Sequence, residues 1–247
     1  MKKKLPSAIL MLILLMAWQF IAIGIDAAYI LPTPVQILKR LWELREPLFT
    51  VHLPATMGVT FVGLLISVVL GVALAIIMDM FPKAENAIYP IVIASQTIPT
   101  TAIAPLFILW FGYSIWSKAL VTILMTFFPI TITVFDGFKA SKREIEELLI
   151  TYGASKRDIF FILKLPTAMP NFFSAIKMAI PLSVIGAAIA EWLGAQSGLG
   201  YFSKRMMTQL DGAGVFAPIV LLSVVAMIAV GIVNIFEVRI IKWRKEI

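Results

Sequence analysis

The sequence predicts an all-α integral membrane fold with about six transmembrane helices, and three observations predict it. Of the 247 residues, 60% are apolar and the mean hydropathy is +0.96, whereas soluble domains hold about 45–50% apolar residues. The apolar residues gather into six runs long enough to cross a bilayer. Lys and Arg concentrate in alternate connections between those runs.

The first run follows Met1-Lys2-Lys3-Lys4 and extends over Leu5–Ile25. It exceeds the short apolar core of a secretion signal, so it reads as a retained first span. The next runs are Leu53–Met78, Ala87–Trp110, Ile115–Phe135, Asn171–Leu193 and Ala213–Phe236. The third is the least regular, because Pro90, Pro99 and Pro105 each remove a backbone donor. At membrane depth such breaks survive where backbone is buried in protein or lines a cavity.

With the amino terminus inside, the inner segments hold Lys2, Lys3, Lys4, Lys83, Lys139, Lys142, Arg143, Lys156, Arg157, Lys164, Arg239, Lys242, Arg244 and Lys245. The outer segments hold Lys39, Arg40, Arg45, Lys118, Lys204 and Arg205. Fourteen against six predicts that both termini are cytoplasmic. The net charge of +7 is the charge of those flanks and gives no reason to expect a nucleic-acid partner.

Between the first two spans, Val35, Leu38, Leu41, Trp42 and Leu44 follow Leu31-Pro32-Thr33-Pro34 at helical spacing. Such a helix either lies on the outer membrane surface or packs on the mouth of the bundle. In the second span Gly58, Gly63 and Gly71, with Ala73 and Ala75, allow close helix contact. His52 sits at the outer boundary and reads as interfacial. The twelve methionines are scattered and read as core.

Residues 136–170 form the longest inner connection within a single transmembrane domain of residues 1–247. Ser141 and Glu144 make a capping-box pattern. Ile145, Leu148, Leu149 and Tyr152 then form one apolar face. Gly153 is placed to end that helix with positive φ. Ser155 and Asp158 repeat the start signal, and Pro166 disturbs the second helix. The apolar face packs either under its own bundle or in the groove of a partner.

Glu147-Leu148-Leu149, then Gly153, then Leu163-Lys164-Leu165-Pro166 resembles the coupling-loop signature of ABC importer permeases: Glu-Ala-Ala, three residues, Gly, nine residues, Ile-x-Leu-Pro. Leu148, Leu149 and Leu163 depart from it in size but not in apolar character, so the partner groove should differ in detail. The resemblance extends from Leu31 to Phe236. Ala94-Ser95-Gln96-Thr97-Ile98-Pro99, Ala104 to Gly112 and Leu31 to Pro34 are similar to the nitrate/sulfonate/taurine branch. Glu191-Trp192-Leu193-Gly194-Ala195 with Gly198-Leu199-Gly200 is more similar to members that serve thiamin-pyrimidine precursors.

The resemblance implies a bacterial plasma-membrane subunit of an ATP-driven importer. Its partners would be cytoplasmic ABC ATPases, an external solute-binding protein and a second permease copy, forming a homodimer. It places Glu147, Leu148, Leu149, Tyr152, Gly153, Ala154 and Pro166 against the ATPase. The cargo it implies is a heteroaromatic vitamin precursor; the alternative is a sulfonate, taurine or nitrate-like anion. No Gly-x-x-x-x-Gly-Lys-Ser/Thr occurs, and Gly153-Ala154-Ser155-Lys156 lacks that spacing. ATP and Mg therefore belong to the partner, and the chain itself needs no cofactor.

Polar groups within the spans are candidates for the cargo path. Gln96, Thr97, Thr100 and Thr101 cluster around Pro99; they either line the path or satisfy backbone freed by the proline. Glu191, beside Trp192 at the end of the fifth span, reads as a gate, cargo or docking residue, or else as a hydrated interfacial carboxylate with Trp192 as anchor. Lys177 reads as snorkelling toward the inner face. Two rival readings stand beside the importer. An ion-coupled transporter would need coupling-ion sites and commonly repeats. An intramembrane enzyme would need a nucleophile–base pair or metal ligands, for which no cysteine and one histidine leave little material.

Overall fold

The computed structural model describes residues 5–242. Lys2, Lys3, Lys4, Arg244 and Lys245, which carry part of the charge bias, lie outside the described residues. Every regular element described is helical. Five helices are long and apolar enough to span a membrane: α1 (Leu5–Ile25), α4 (Leu53–Met80), α7 (Ile115–Lys139), α10 (Leu165–Gly194) and α12 (Gly212–Ile240). The third predicted span is not one helix. It is α5 (Pro82–Ser95) and α6 (Thr100–Phe111), which meet at 94° and bring the total to six if counted as one span. Pro99, with extended backbone, stands immediately before α6 and has no N–H to continue the ladder from α5.

Helix α7 is the centre of the bundle, with α4 on one side and α10 on the other. The sequence explains the close approach. A Cβ at Gly63 of α4 would lie 2.6 Å from Thr122 Cβ, and one at Gly186 of α10 would lie 3.0 Å from Thr122 Cα. Two glycines thus clasp one threonine, as small residues do where lipid gives helices no hydrophobic drive to associate. Gly71 repeats the contact against Ile130, and Ala75 is buried, but Ala73 faces outward and takes no part. α7 runs beyond the predicted end at Phe135 because Phe138, one turn on, is also buried in this core.

Two short π-helical turns, Leu48–His52 and Phe160–Lys164, each precede a proline, Pro54 and Pro166. A proline ring clashes with the carbonyl four residues back, and a wider turn relieves it. Pro166 therefore does not end the predicted second helix. Short α9 (Lys156–Ile159) passes through the π turn into α10. Ser155 and Asp158 form the predicted capping box.

At one end of the bundle, α2 (Pro34–Glu43) starts from a capping box of Thr33 and Gln36. Ile37, Leu41 and Leu44 face the bundle, whereas Val35, Leu38 and Trp42 are exposed. The predicted single apolar face is thus divided between two sides. Arg40 joins Asp211 at 2.8 Å, fixing α2 to the start of α12. Turn α3 (Arg45–Pro47) leads into α4. The opposite end carries α8 (Arg143–Thr151), and α11 (Leu199–Thr208) lies between α10 and α12.

Candidate functional site

Three places hold the residues singled out in the sequence. The first is α8. Its start differs from the prediction: Lys142 is the cap residue and gives no side-chain bond, because Ser141 Oγ turns back to donate to the Phe138 carbonyl. Its end is as predicted. Gly153 has φ +84°, its N–H donates to the Ile150 carbonyl at 2.9 Å, and the Ala154 N–H donates to that of Leu149 at 3.0 Å. This pair of bonds closes a helix through a left-handed residue that glycine adopts without strain.

No residue of α8 is buried. Leu148 is 53% exposed and Tyr152 81%, with Ile145 and Ile150 exposed beside them. Leu149 and Glu146 are the half-buried side. Glu147 points outward and accepts from Arg143 Nε at 2.9 Å. The apolar face therefore does not pack under its own bundle.

The loop is rooted by ion pairs the sequence reading did not single out. Lys164 Nζ donates to both oxygens of Asp79, at 2.9 and 3.1 Å, and stands 4.0 Å from Glu146. The Asp79 side chain is only 4% exposed. Lys139 pairs with Glu85 at 2.8 Å. An acid near the end of an apolar helix and a base inside the loop motif were the available signals, but their separation of 85 residues hides the pairing.

The second place is the break before α6. Here the cluster divides. Ser95 Oγ donates to the Val92 carbonyl and Thr97 Oγ1 to that of Ala94, so these two satisfy the freed backbone. The side chains of Gln96 and Thr100 have no hydrogen-bond partner among the described residues and line a cavity of about 350 Å³ with Leu124, Met125, Phe128 and Leu182. Thr101 lines a larger neighbouring cavity of about 820 Å³ with Trp192, Ser203, Ser223 and apolar groups of α10 and α12. Consecutive residues separate the two cavities: Thr100 from Thr101 and Leu182 from Pro181. Neither is lined by a Lys, Arg or His.

The third place is Glu191, 1% exposed. Its Oε2 accepts from the Gly200 N–H at 2.8 Å and from Thr56 Oγ1 at 3.0 Å. Thr56 Oγ1 in turn accepts from the Leu199 N–H at 2.8 Å. His52 Nδ1 accepts from the Gly198 N–H at 3.1 Å. The first amides of α11 are thus capped by side chains of α4 and α10. Gly198, at φ +116°, leaves room for the carboxylate that any Cβ there would strike. The reading of Glu191 as a hydrated carboxylate is corrected, because it is enclosed; His52 is enclosed beside it, 7% exposed and with its ring 4.8 Å from that of Phe202. Trp192, the next residue, instead faces the large cavity. Lys177 does not snorkel alone; it pairs with Glu237 of α12 at 2.6 Å.

A family model described as binding-protein-dependent transport system inner membrane component matches residues 67–242. The formylaminopyrimidine transport permease protein ThiX of Halalkalibacterium halodurans is 49% identical over 98% of this chain and 97% of its own. The putative aliphatic sulfonates transport permease protein SsuC of Bacillus subtilis is 31% identical over 95% and 86%. Among solved structures, the MetNI methionine ABC transporter in an inward-facing conformation shares the fold at a TM-score of 0.54 and 18% identity, covering 85% of this chain and 97% of that one. An amino acid ABC transporter crystallised with histidines reaches 0.60 at 16% identity, covering 76% and 92%. These matches remove the ground for the ion-coupled and enzymatic readings. The chain belongs to the binding-protein-dependent inner-membrane family, as a multi-pass permease subunit of an ABC importer that depends on ATPase and binding-protein partners and is not itself an enzyme.

Proposed function

We propose that this subunit imports a formylaminopyrimidine or a closely similar heteroaromatic vitamin precursor. The observation that carries the reading is the 49% identity, across nearly the full length of both chains, to a permease named for that cargo. The absence of any cationic side chain from the lining of the two cavities supports it. A sulfonate, taurine or nitrate ion would favour fixed positive charge or dense donors along its route.

In this reading α8 is the coupling helix within the cytoplasmic loop of residues 136–170, and both termini are cytoplasmic. Ile145, Leu148, Ile150 and Tyr152 enter a groove of the ATPase, with Glu147 at the rim. Gly153 and Ala154 hold the helix end rigid, and Pro166 with its π turn joins the loop to α10. ATP and Mg are held by that partner. A second copy of the chain completes the path, because the large cavity is an open groove along α10 and α12. Trp192 lines that path, and Gln96 and Thr100 sit at the break in the third span. Closure of the ATPase pair moves the two α8 helices as rigid bodies and opens the cavity toward the binding protein.

The test is to purify the complex with its ATPase and binding protein, reconstitute it and offer labelled formylaminopyrimidine, taurine and nitrate. ATP-dependent uptake of the pyrimidine alone is the expected result. Uptake of an anion instead would transfer the assignment to the sulfonate-like members.

A further inference from the structure

We infer that the 350 Å³ cavity at the break between α5 and α6 is a transient cargo site that reads the edge of an aminopyrimidine ring through the carboxamide of Gln96. The inference rests on the heteroaromatic reading above and locates it. Four observations carry it. The cavity lies at the break between α5 and α6, two apolar helices that together pass as a broken span. Its volume is at the small end of the range of about 300–1,000 Å³ for ligand pockets. Of the five polar residues around Pro99, Ser95 and Thr97 are spent on backbone carbonyls and Thr101 lines the larger cavity, whereas Gln96 and Thr100 keep their side-chain donors and acceptors free. Opposite them stand Phe128 and Met125.

The chemistry follows from those groups. A carboxamide presents an acceptor beside a donor. An aminopyrimidine presents the complement, an exocyclic N–H beside a ring nitrogen acceptor. This is the match by which Gln and Asn recognise adenine. A sulfonate or nitrate offers acceptors only and leaves the amide oxygen of Gln96 unused. The ring of Phe128 supplies a stacking face, and the Met125 thioether is a favourable neighbour for an aromatic ring. The Thr100 hydroxyl is placed for a polar substituent of the ring. Two free groups and one ring make a weak site, as transport requires, since cargo must leave as readily as it arrives.

The experiment uses the reconstituted complex of permease, ATPase and binding protein, with labelled formylaminopyrimidine as probe, and reads uptake and ATP hydrolysis together. Gln96→Leu should lower uptake per ATP hydrolysed by roughly ten-fold, the loss of one amide–base pair, while hydrolysis stimulated by the loaded binding protein holds. Gln96→Glu, which keeps acceptors but no donor, should fall between. Phe128→Leu should lower uptake and Phe128→Tyr should restore it, which gives an independent reading if a Gln96 variant fails to assemble. Unchanged uptake per ATP in Gln96→Leu and Phe128→Leu overturns the site. A parallel fall of uptake and hydrolysis in every variant overturns it too, because that is the mark of a structural role. If the unsubstituted complex imports an anion and no pyrimidine, the parent reading fails, and this inference with it.

Discussion

The α8 loop and the Glu191 cluster lie at opposite ends of the bundle and are built on opposite rules. Around Glu191, most polar groups are spent inside the subunit: Thr56, Gly200, Leu199, His52 and Gly198 bond across three helices with almost no exposure, and of the carboxylate only Oε1 is left without a partner among the described residues. Around α8, leucine, isoleucine and tyrosine side chains point away from the subunit, and the ion pair within the helix, Arg143–Glu147, is exposed. A buried network resists change, since a broken bond leaves a polar group stranded away from water. An exposed apolar face on a rigid helix gains stability only when something covers it. One end is thus specified by its own chain, and the other awaits a surface supplied from outside.

The largest expected effect lies where the exposed loop meets the bundle. Lys164→Met leaves the Asp79 carboxylate enclosed and unpaired. Removing one partner of a buried pair costs about 3–5 kcal/mol, and the partial exposure of Lys164 puts this case toward the lower figure. The melting temperature of the detergent-purified subunit should fall by several degrees, and Asp79→Asn in the same chain should recover most of it. An unchanged melt would mean that the loop is as loosely rooted as its outer face suggests.

Next is Glu191→Ala, which strands the Gly200 N–H, while the Thr56 hydroxyl keeps the His52 carbonyl as acceptor at 3.2 Å. At about 1–3 kcal/mol for an unsatisfied buried group, stability and uptake should fall together, with Glu191→Gln milder because its amide oxygen still accepts. If uptake fell while the melt stayed in place, Glu191 would act on cargo or on the docked binding protein and the contrast between the two ends would weaken.

The starts of α1, α4 and α7 and the terminal Gly153 were legible because hydropathy and a left-handed helix end are local properties. The division of the Pro99 cluster was not, because only geometry decides which hydroxyl reaches a carbonyl. The Ser141–Glu144 pattern misled for a related reason: α7 outlasts its apolar run by one turn, and that extension captures Ser141. Glu191 was visible as an ionisable group in an apolar run, but its partners were hidden, since Thr56 stands 135 residues away. The pairing of Lys177 with Glu237, 60 residues apart, was illegible on the same ground. His52 and Thr56 did leave one signal, two polar groups a helical turn apart at the start of an apolar helix.

Gly153→Asp tests the rigid end of α8. A side chain at φ +84° costs about 1–3 kcal/mol locally, and the helix end is expected to fray. Uptake and ATPase co-purification should drop while membrane insertion and the melt of the bundle hold. Full uptake in this variant would count against α8 as a transmitting element.

The smallest expected effect on stability is also the sharpest test of the contrast. Arg143 and Glu147 form an exposed pair at adjacent turns, a class worth about 0.3–0.5 kcal/mol on a helix. Arg143→Ala and Glu147→Ala should therefore leave the melt of the isolated subunit where it was. If Glu147 sits at the rim of an ATPase groove, Glu147→Ala should still lower ATPase co-purification, and Arg143→Ala should lower it less. Loss of the partner without loss of stability is what an end specified from outside must show. The Glu191 end should not show it, because removing that carboxylate strands the Gly200 N–H of the same chain.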